Sequence, residues 1–401
     1  FLPDLFLSII SIYGIYCLFL IEFRRKYFFN FYIILLIVFY LYAIITSLLS
    51  SNIFLSFQSS LFYIRYPFFI FGSVCLIHEN SKLIKYFGKV VIVSVLIIFF
   101  DIIFELIFGF NTLGNISPAK SVGRLSSFFG EELILGKYIS LIFLYGFLVF
   151  TFYKKDKKFS IKNQILLILY VCISFALIYL SGERTAFFYF FIIIIFILLS
   201  NIFILKLKLT LIIFALLSIA VLTILSPSSK QRLVNSTILQ IFDKSSDTIN
   251  INFFSNIHEL HFETAIKMFK QNKYVGIGPK IFRLECDDEN YVTFADENLS
   301  TNFGIQNGCS SHPHNYYLQL LAETGIFGFM MIICIFLTSV INLSKTLIQN
   351  NKYSFNTYLL YLIIFVNFYP IVPTVNFFNN WISVLIFLPF PFLIYLKNLN
   401  K

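Results

Sequence analysis

The chain is poor in charge. Asp, Glu, Lys and Arg make up only 12% of its 401 residues, about half the share found in a soluble domain. That scarcity excludes an ordinary soluble globular protein, because 58% of the residues are hydrophobic and the mean hydropathy is +0.84. A soluble chain of this length cannot hide so much apolar surface, so the solvent it suits is lipid. A single Trp stands against 54 Phe, a codon-usage bias from which no function follows. There is no nucleic-acid-binding motif, no internal repeat, and no low-complexity tract beyond the richness in Phe, Ile and Leu. There is also no secretory cleavage site, and the first apolar run reads as a span. The net charge of +10 would by itself suggest nucleic acid, but the placement of the basic residues argues otherwise. Most of them sit in short hydrophilic breaks between apolar runs.

What the sequence does have is a succession of those runs. A span needs about 20 mostly apolar residues. Such runs lie near 4–22, 31–49, 54–78, 90–108, 132–153, 164–180, 186–204, 209–226, 326–344, 356–372 and 378–396. The expected fold is all-α and polytopic, with about eleven transmembrane helices. Every second break is lysine-rich: Arg24-Arg25-Lys26, Lys82/Lys85/Lys89, Lys154-Lys155 with Lys157-Lys158 and Lys162, Lys206/Lys208, Lys345/Lys352 and Lys397/Lys401. Together these hold 17 of the 30 Lys and Arg residues. The short connections between them hold only Lys120, Arg124 and Arg184. The positive-inside rule then places the lysine-rich breaks and the C-terminus in the cytoplasm. The N-terminus falls outside, and a span starts almost at Phe1, so one earlier helix is expected, twelve in the complete protein. Residues 1–226 form the first eight spans and 326–401 the last three. The stretch 227–325 is expected to be a large, mostly helical periplasmic loop, polar enough to carry chemistry on the outer face.

Four cysteines, Cys17, Cys75, Cys172 and Cys334, fall in spans, where they read as packing. Cys286 and Cys309 share the external loop, and an oxidising compartment permits a disulfide between them; the alternative is two free thiols. Their spacing is not a zinc pattern. Asp287-Asp288-Glu289 and Asp296-Glu297 do not match a calcium-binding loop and read as a solvated acidic face.

The segment richest in chemistry is Ser311-His312-Pro313-His314-Asn315-Tyr316-Tyr317, continuing to Gly325 and Gly328. From Tyr317 to Thr324 it has the spacing of a short amphipathic helix. Pro313 keeps that helix from starting earlier, so His314 and Asn315 fall at its N-terminus. Gly325 and Gly328 let the chain bend and the next span pack closely. A neutral imidazole at such a place can take the proton of a sugar hydroxyl; it can equally be a helix cap.

His314-Asn315, nine residues, Gly325, two residues, Gly328 resembles the O-antigen ligase/O-antigen polymerase family. The signature of that family is His, then Asn, Ser or Gln, nine residues, Gly, two residues, Gly. Arg124-Leu125-Ser126-Ser127-Phe128-Phe129-Gly130-Glu131-Glu132 with Gly136, Ser181-Gly182-Glu183-Arg184-Thr185-Ala186 and Gly276-Ile277-Gly278-Pro279-Lys280-Ile281-Phe282 are also similar to it. The resemblance spans roughly residues 100–345. It implies a bacterial inner-membrane glycan transferase, metal-independent and inverting, with no cofactor. Its donor would be an undecaprenyl-diphosphate-linked glycan and its acceptor lipid A-core, for a ligase, or a second lipid-linked glycan, for a polymerase. The family's histidine maps onto His314, with His312 and Asn315 supporting the acceptor. Its arginine at the start of a span maps onto Arg184, a diphosphate contact, with Arg124 beside it. The alternative for Arg184 is an interfacial arginine that snorkels; the diphosphate contact is preferred. The family commonly has another arginine in the large loop, where this chain has His258-Glu259-Leu260-His261. Either His261 takes that part, or Arg232, Lys280 or Arg283 does.

Arg65 lies inside an apolar run, where a charge is expensive and a functional candidate by default. It either faces a cavity holding the carrier diphosphate or pairs with Asp101 or Glu105, one helical turn apart on the next span; the pairing is preferred. A flippase of lipid-linked oligosaccharide is the reading from another class. It predicts inverted repeats, which the sequence lacks.

Overall fold

A computed structural model describes residues 2–151, 160–200, 205–243, 250–251, 253–295, 307–348, 355–378 and 380–399. Outside them lie the expected span ends at 152–153 and 201–204, the breaks at Lys154-Lys155 and Lys157-Lys158, Lys352, Lys401, and Asp296-Glu297.

Seven helices among the described residues are long and apolar enough to cross a bilayer: Phe31–Leu48, Ile53–Glu79, Lys82–Phe108, Ile161–Leu180, Leu205–Leu225, Tyr316–Ile348 and Ile382–Leu399. Leu2–Cys17 and Ile21–Phe28 are apolar enough together to cross but are bent by 97°, as in a broken span or a re-entrant loop. The shorter apolar helices Leu135–Phe150, Arg184–Leu199 and Phe355–Asn367 fall on the remaining three runs. The protein is an all-α polytopic membrane protein. Local chemistry sets several starts: Asn30, Asn52 and Ser160 each accept a backbone N–H at the head of the following helix, which satisfies an otherwise orphaned donor. The Phe31–Leu48 helix shows how lipid reads the pattern. Leu36, Phe39 and Ala43 are buried, while Val38, Leu41, Ile45 and Leu48 are exposed, so the outward face is as apolar as the inward one. Lys82, Lys85 and Lys89, expected in a connection, instead open the 27-residue helix Lys82–Phe108, since lysine is a good helix former whose stem lies along apolar surface.

The chain divides into two compact units. One comprises Phe1–Asn80, Phe254–Ile341 and Asn367–Lys401; the other comprises Ser81–Phe253 and Asn342–Val366. In the first, the amphipathic helix Asn256–Gln271 packs Ala265 and Met268 against Ile277, Ile281, Phe282 and Ala322. Cys286 and Cys309 are joined in a disulfide beside this small core, the pairing the sequence permits. In the second, the two-residue strands Phe242–Asp243 and Asn250–Ile251 pair antiparallel.

Arg65 does not have the partner preferred from sequence. Its Nη1 lies 3.7 Å from Asp4 Oδ1, and it donates to the Phe62 carbonyl and the Ser8 hydroxyl. Asp101 and Glu105 have other work in their own unit. Asp101 accepts from the Thr112 N–H and the Ser127 hydroxyl, and Glu105 accepts from the Ser117 N–H. These carboxylates hold the connection after their helix, where backbone and hydroxyl donors need buried acceptors.

Candidate functional site

Two clusters gather the residues singled out above, one in each unit. The first is cationic and belongs to the unit containing Ser81–Phe253. Asp101 and Asn111 anchor the Arg124-Leu125-Ser126-Ser127 connection through Ser127, and the Leu125 N–H bonds to the Leu180 carbonyl at 3.2 Å. Gly182, at φ +61, lies against Gly123 so closely that an added Cβ would overlap the Gly123 carbonyl. Only glycine meets both demands, and this contact brings the 109–131 and 181–185 connections together. Arg124 donates to the Leu133 carbonyl at 2.7 Å, Arg232 to the Gly182 carbonyl at 3.0 Å, and Arg184 to Gln240. Glu183 holds the turn by accepting the Gly136 and Lys137 N–H groups at 2.7 and 3.2 Å.

Sequence reasoning passed over Lys137. It is buried, and its Nζ stands 4.2 Å from the Tyr189 ring centroid. The signal that marks it is the one applied to Arg65, a charge inside an apolar run. The Nζ of Lys137 and the Nε atoms of Arg124 and Arg184 are buried without a hydrogen-bond partner among the described residues. Burial pulls Arg124 and Arg232 below the usual guanidinium range; Arg232 adds to the effect on Arg124, and Glu183 opposes both. Burial also pushes the Glu183 carboxyl up to about 7, against the pull of the Gly136 N–H and Arg124. One carboxyl among four basic groups leaves the cluster short of negative charge. Guanidiniums present a planar fork suited to phosphate oxygens.

The second cluster is made of imidazoles and belongs to the unit containing Phe254–Ile341. Four of the five histidines of the chain meet here. The His314 ring lies 4.1 Å from His312, 5.4 Å from His261 and 5.5 Å from His258. Asn315 caps the following helix, its Oδ1 accepting the Tyr317 and Leu318 N–H groups at 2.9 and 3.2 Å, while its Nδ2 donates to the Pro370 carbonyl. His314 itself sits at φ +54, an unusual conformation for a residue with a Cβ. It is held there by the Thr374 N–H donating to its carbonyl at 2.6 Å. The helix ends at Gly325, whose φ of +64 and ψ of −164 break it from the following span, and an added Cβ would overlap the Tyr274 carbonyl. Gly328, one turn on, leaves room for the Thr324 side chain. Gln319 and Glu323 on the short helix are joined at 3.0 Å, and Gln319 also bonds Asn376 at 2.9 Å. Polar bonds thus fix the helix on two sides.

Burial pushes His314 down to about 3, and its neighbours His312, His258 and His261 push the same way. His312 goes down to about 4, by burial and by nearby Arg283 and His261 against a bond to the Thr374 backbone. His258 is lowered by burial and by His261. At neutral pH His312 and His314 are uncharged and can accept a proton. His261, one of the residues considered as a phosphate contact, is buried with its Nδ1 3.0 Å from the Gly308 carbonyl, among the histidines. Lys280, at φ +62, is lowered by burial and by Arg283. Arg283 is exposed. The convergence of His258 and His261 with the motif was missed from sequence. Its one visible sign was that four histidines share a single polar stretch.

The fold and the two clusters define a polytopic membrane protein with a cationic site and a neutral imidazole site. Residues 168–333 match the family model described as O-antigen ligase. This stretch contains Arg184, Arg232, the four clustered histidines, Asn315, Gly325 and Gly328; Arg124 and Lys137 precede it. The match supports a function of the ligase or polymerase type, on lipid-linked glycan in a membrane. A search of the curated proteins finds no match.

Proposed function

We propose that the protein transfers a polysaccharide from undecaprenyl diphosphate to an acceptor hydroxyl at the periplasmic face of the bacterial inner membrane, attaching O-antigen to lipid A-core. The acceptor oxygen attacks the anomeric carbon, and the bond to the diphosphate breaks with its electron pair on the phosphate oxygen. A single displacement of this kind inverts the anomeric centre. His314 takes the hydroxyl proton. Arg184, Arg124, Arg232 and Lys137 hold the diphosphate and stabilise the charge that grows on it. Because guanidiniums can neutralise that charge, the reaction is proposed to need no metal ion or cofactor.

What carries this reading is the gathering of Arg124, Lys137 and Arg184, each with a buried nitrogen that has no hydrogen-bond partner among the described residues, with Arg232 bonded to Gly182 beside them. The alternating lysine-rich breaks support the periplasmic side. The test is the lipopolysaccharide profile of a deletion strain, complemented by the wild-type chain or by His314→Ala. A ligase leaves lipid A-core without attached glycan when lost; a polymerase leaves single repeat units attached. An unchanged profile in the His314→Ala strain, with the protein present in the membrane, removes the catalytic assignment. Activity that is lost in EDTA and restored by a divalent cation would remove the metal-free part.

A further inference from the structure

We propose that Lys280 and Arg283 form an anion site, on the turn packed against the helix that follows His314, and that it takes an acidic group of the acceptor, a phosphate or a carboxylate. The assignment to the acceptor rests on the transfer reading above. Among the described residues, three that are not glycine take a left-handed backbone conformation: Ser127, His314 and Lys280. Such a conformation is costly and persists only where the surroundings enforce it, most often at functional sites. Ser127 belongs to the connection that carries Arg124, and His314 is the proposed base. Lys280 is the one that the mechanism leaves unused.

Its surroundings do enforce it. Ile277 and Gly278 donate their N–H groups to the carbonyls of Ala322 and Glu323 at 3.0 and 2.8 Å. The buried Glu323 carboxylate accepts the Phe282 N–H at 3.3 Å and the Gln319 amide at 3.0 Å. Gly278 lies against Ser50 and Ser56, beside the connection between the spans Phe31–Leu48 and Ile53–Glu79, so the turn stands at the membrane edge. From there the chain runs towards the histidines. Phe282–Glu285 is one helical turn, and Cys286 after it is bonded to Cys309, three residues before His312. Arg283 thus stands between the two ends of the short helix, and its charge is felt at Lys280 and at His312.

Two cations held this near repel, and an anion between them turns repulsion into attraction. The carboxylates next along the chain are engaged elsewhere. Glu285 accepts the Ser51 hydroxyl, Asp287 the Asn307 amide and Asp288 the Asn290 N–H. Among the described residues neither Lys280 nor Arg283 forms an ion pair. Lys280 is half-buried and Arg283 exposed, so a ligand can reach both. The donor diphosphate has its own cationic cluster in the other unit. This pair belongs to the unit of His314, which takes the proton of the acceptor, so the anion it suits is one the acceptor carries.

The test uses the full chain reconstituted with undecaprenyl-diphosphate-linked glycan and lipid A-core. Lys280→Asn removes the charge with a residue that tolerates the left-handed conformation. The expected result, there and in Arg283→Gln, is a rise in acceptor KM of about tenfold, with donor KM and kcat at saturating acceptor unchanged. Arg283→Lys recovers part of the loss. If Lys280→Asn does not fold, Arg283→Gln, at an exposed position, carries the test. Lipid A-core stripped of phosphate abolishes the difference between wild type and variants if the group is a phosphate, and preserves it if the group is a carboxylate. Wild-type acceptor KM in both variants overturns the site. So does a rise confined to donor KM, which would make the pair a donor contact. His314→Ala is measured alongside. If it retains activity the transfer reading falls; if it is inactive while both variants use acceptor as wild type does, only the acceptor site falls.

Discussion

The guanidinium cluster around Gly182 and the imidazole cluster around His314 both crowd basic groups into places with little water, and the two chemistries answer differently. Arginine cannot give up its proton. Arg124, Arg184 and Arg232 remain cations, and the structure compensates with the Glu183 carboxylate and backbone carbonyls. Imidazole can give up its proton, and His312 and His314 do so, with pKa values near 4 and 3. One region keeps its positive charge and the other can accept a proton.

The largest effect expected is at His314. Loss of a general base costs roughly 10²–10⁴ in rate, so His314→Ala should leave transfer in reconstituted membranes near background while donor binding persists. If donor binding falls instead, the division of labour between the clusters is wrong. Next is Arg184. Removing one donor that stabilises developing charge costs about 10²–10³. Arg184→Ala should therefore lose two to three decades in kcat/KM, with Arg184→Lys recovering only part because the fork is gone. Lys137→Met should weaken the donor to a lesser degree. An Arg184→Ala protein with wild-type donor use would leave that arginine as an interfacial residue only.

The two clusters also differ in how far they could be read from sequence. Spans are legible because lipid demands a long apolar run, and every expected run is occupied by an apolar helix. The His314-Asn315 start was legible because Pro313 and Asn315 act locally, as stop and cap. Arg184 was legible as the one basic residue in its short connection, and Arg124 as one of two. Partners set by tertiary packing were not. Nothing near Arg65 announces Asp4, 61 positions away, as its counter-ion at 3.7 Å. Likewise, nothing in His258-Glu259-Leu260-His261 says that this turn will meet a motif some 50 residues later. Lys137 was missed because its neighbours read as a span, and the Glu183 carboxylate that grips its N–H belongs to a different connection.

Gly325→Ala tests the scaffold beneath the histidines. A non-glycine residue in this region of backbone space costs about 1–3 kcal/mol, and the new methyl would also overlap the Tyr274 carbonyl. The expected result is a lower Tm and a proportionate loss of activity, without the selective loss of kcat expected for His314→Ala. A variant with unchanged Tm would mean that the kink is not required.

The smallest effect separates the clusters by the sign of their response to acid. His312 and His314 titrate near 4 and 3 in the fold and near 6.5 when unfolded. Between those values the unfolded chain binds protons that the fold refuses, so stability falls as pH drops below about 6.5, and above it the histidines contribute no slope. Glu183 is the reverse. Its folded value of about 7 lies above the usual carboxyl value of 4.5, so the fold binds the proton first. Its contribution is full below the unfolded value and is lost as pH rises towards 7. Hydrogen exchange compared at pH 7 and pH 5, after correction for the intrinsic rate, should therefore show weaker protection around 310–318. Protection at the Gly136 and Lys137 amides should hold or increase. His312→Gln should flatten the first trend and Glu183→Gln the second. Matching trends in the two regions would mean that the histidines are not held neutral by the fold, and the contrast between the clusters would be lost.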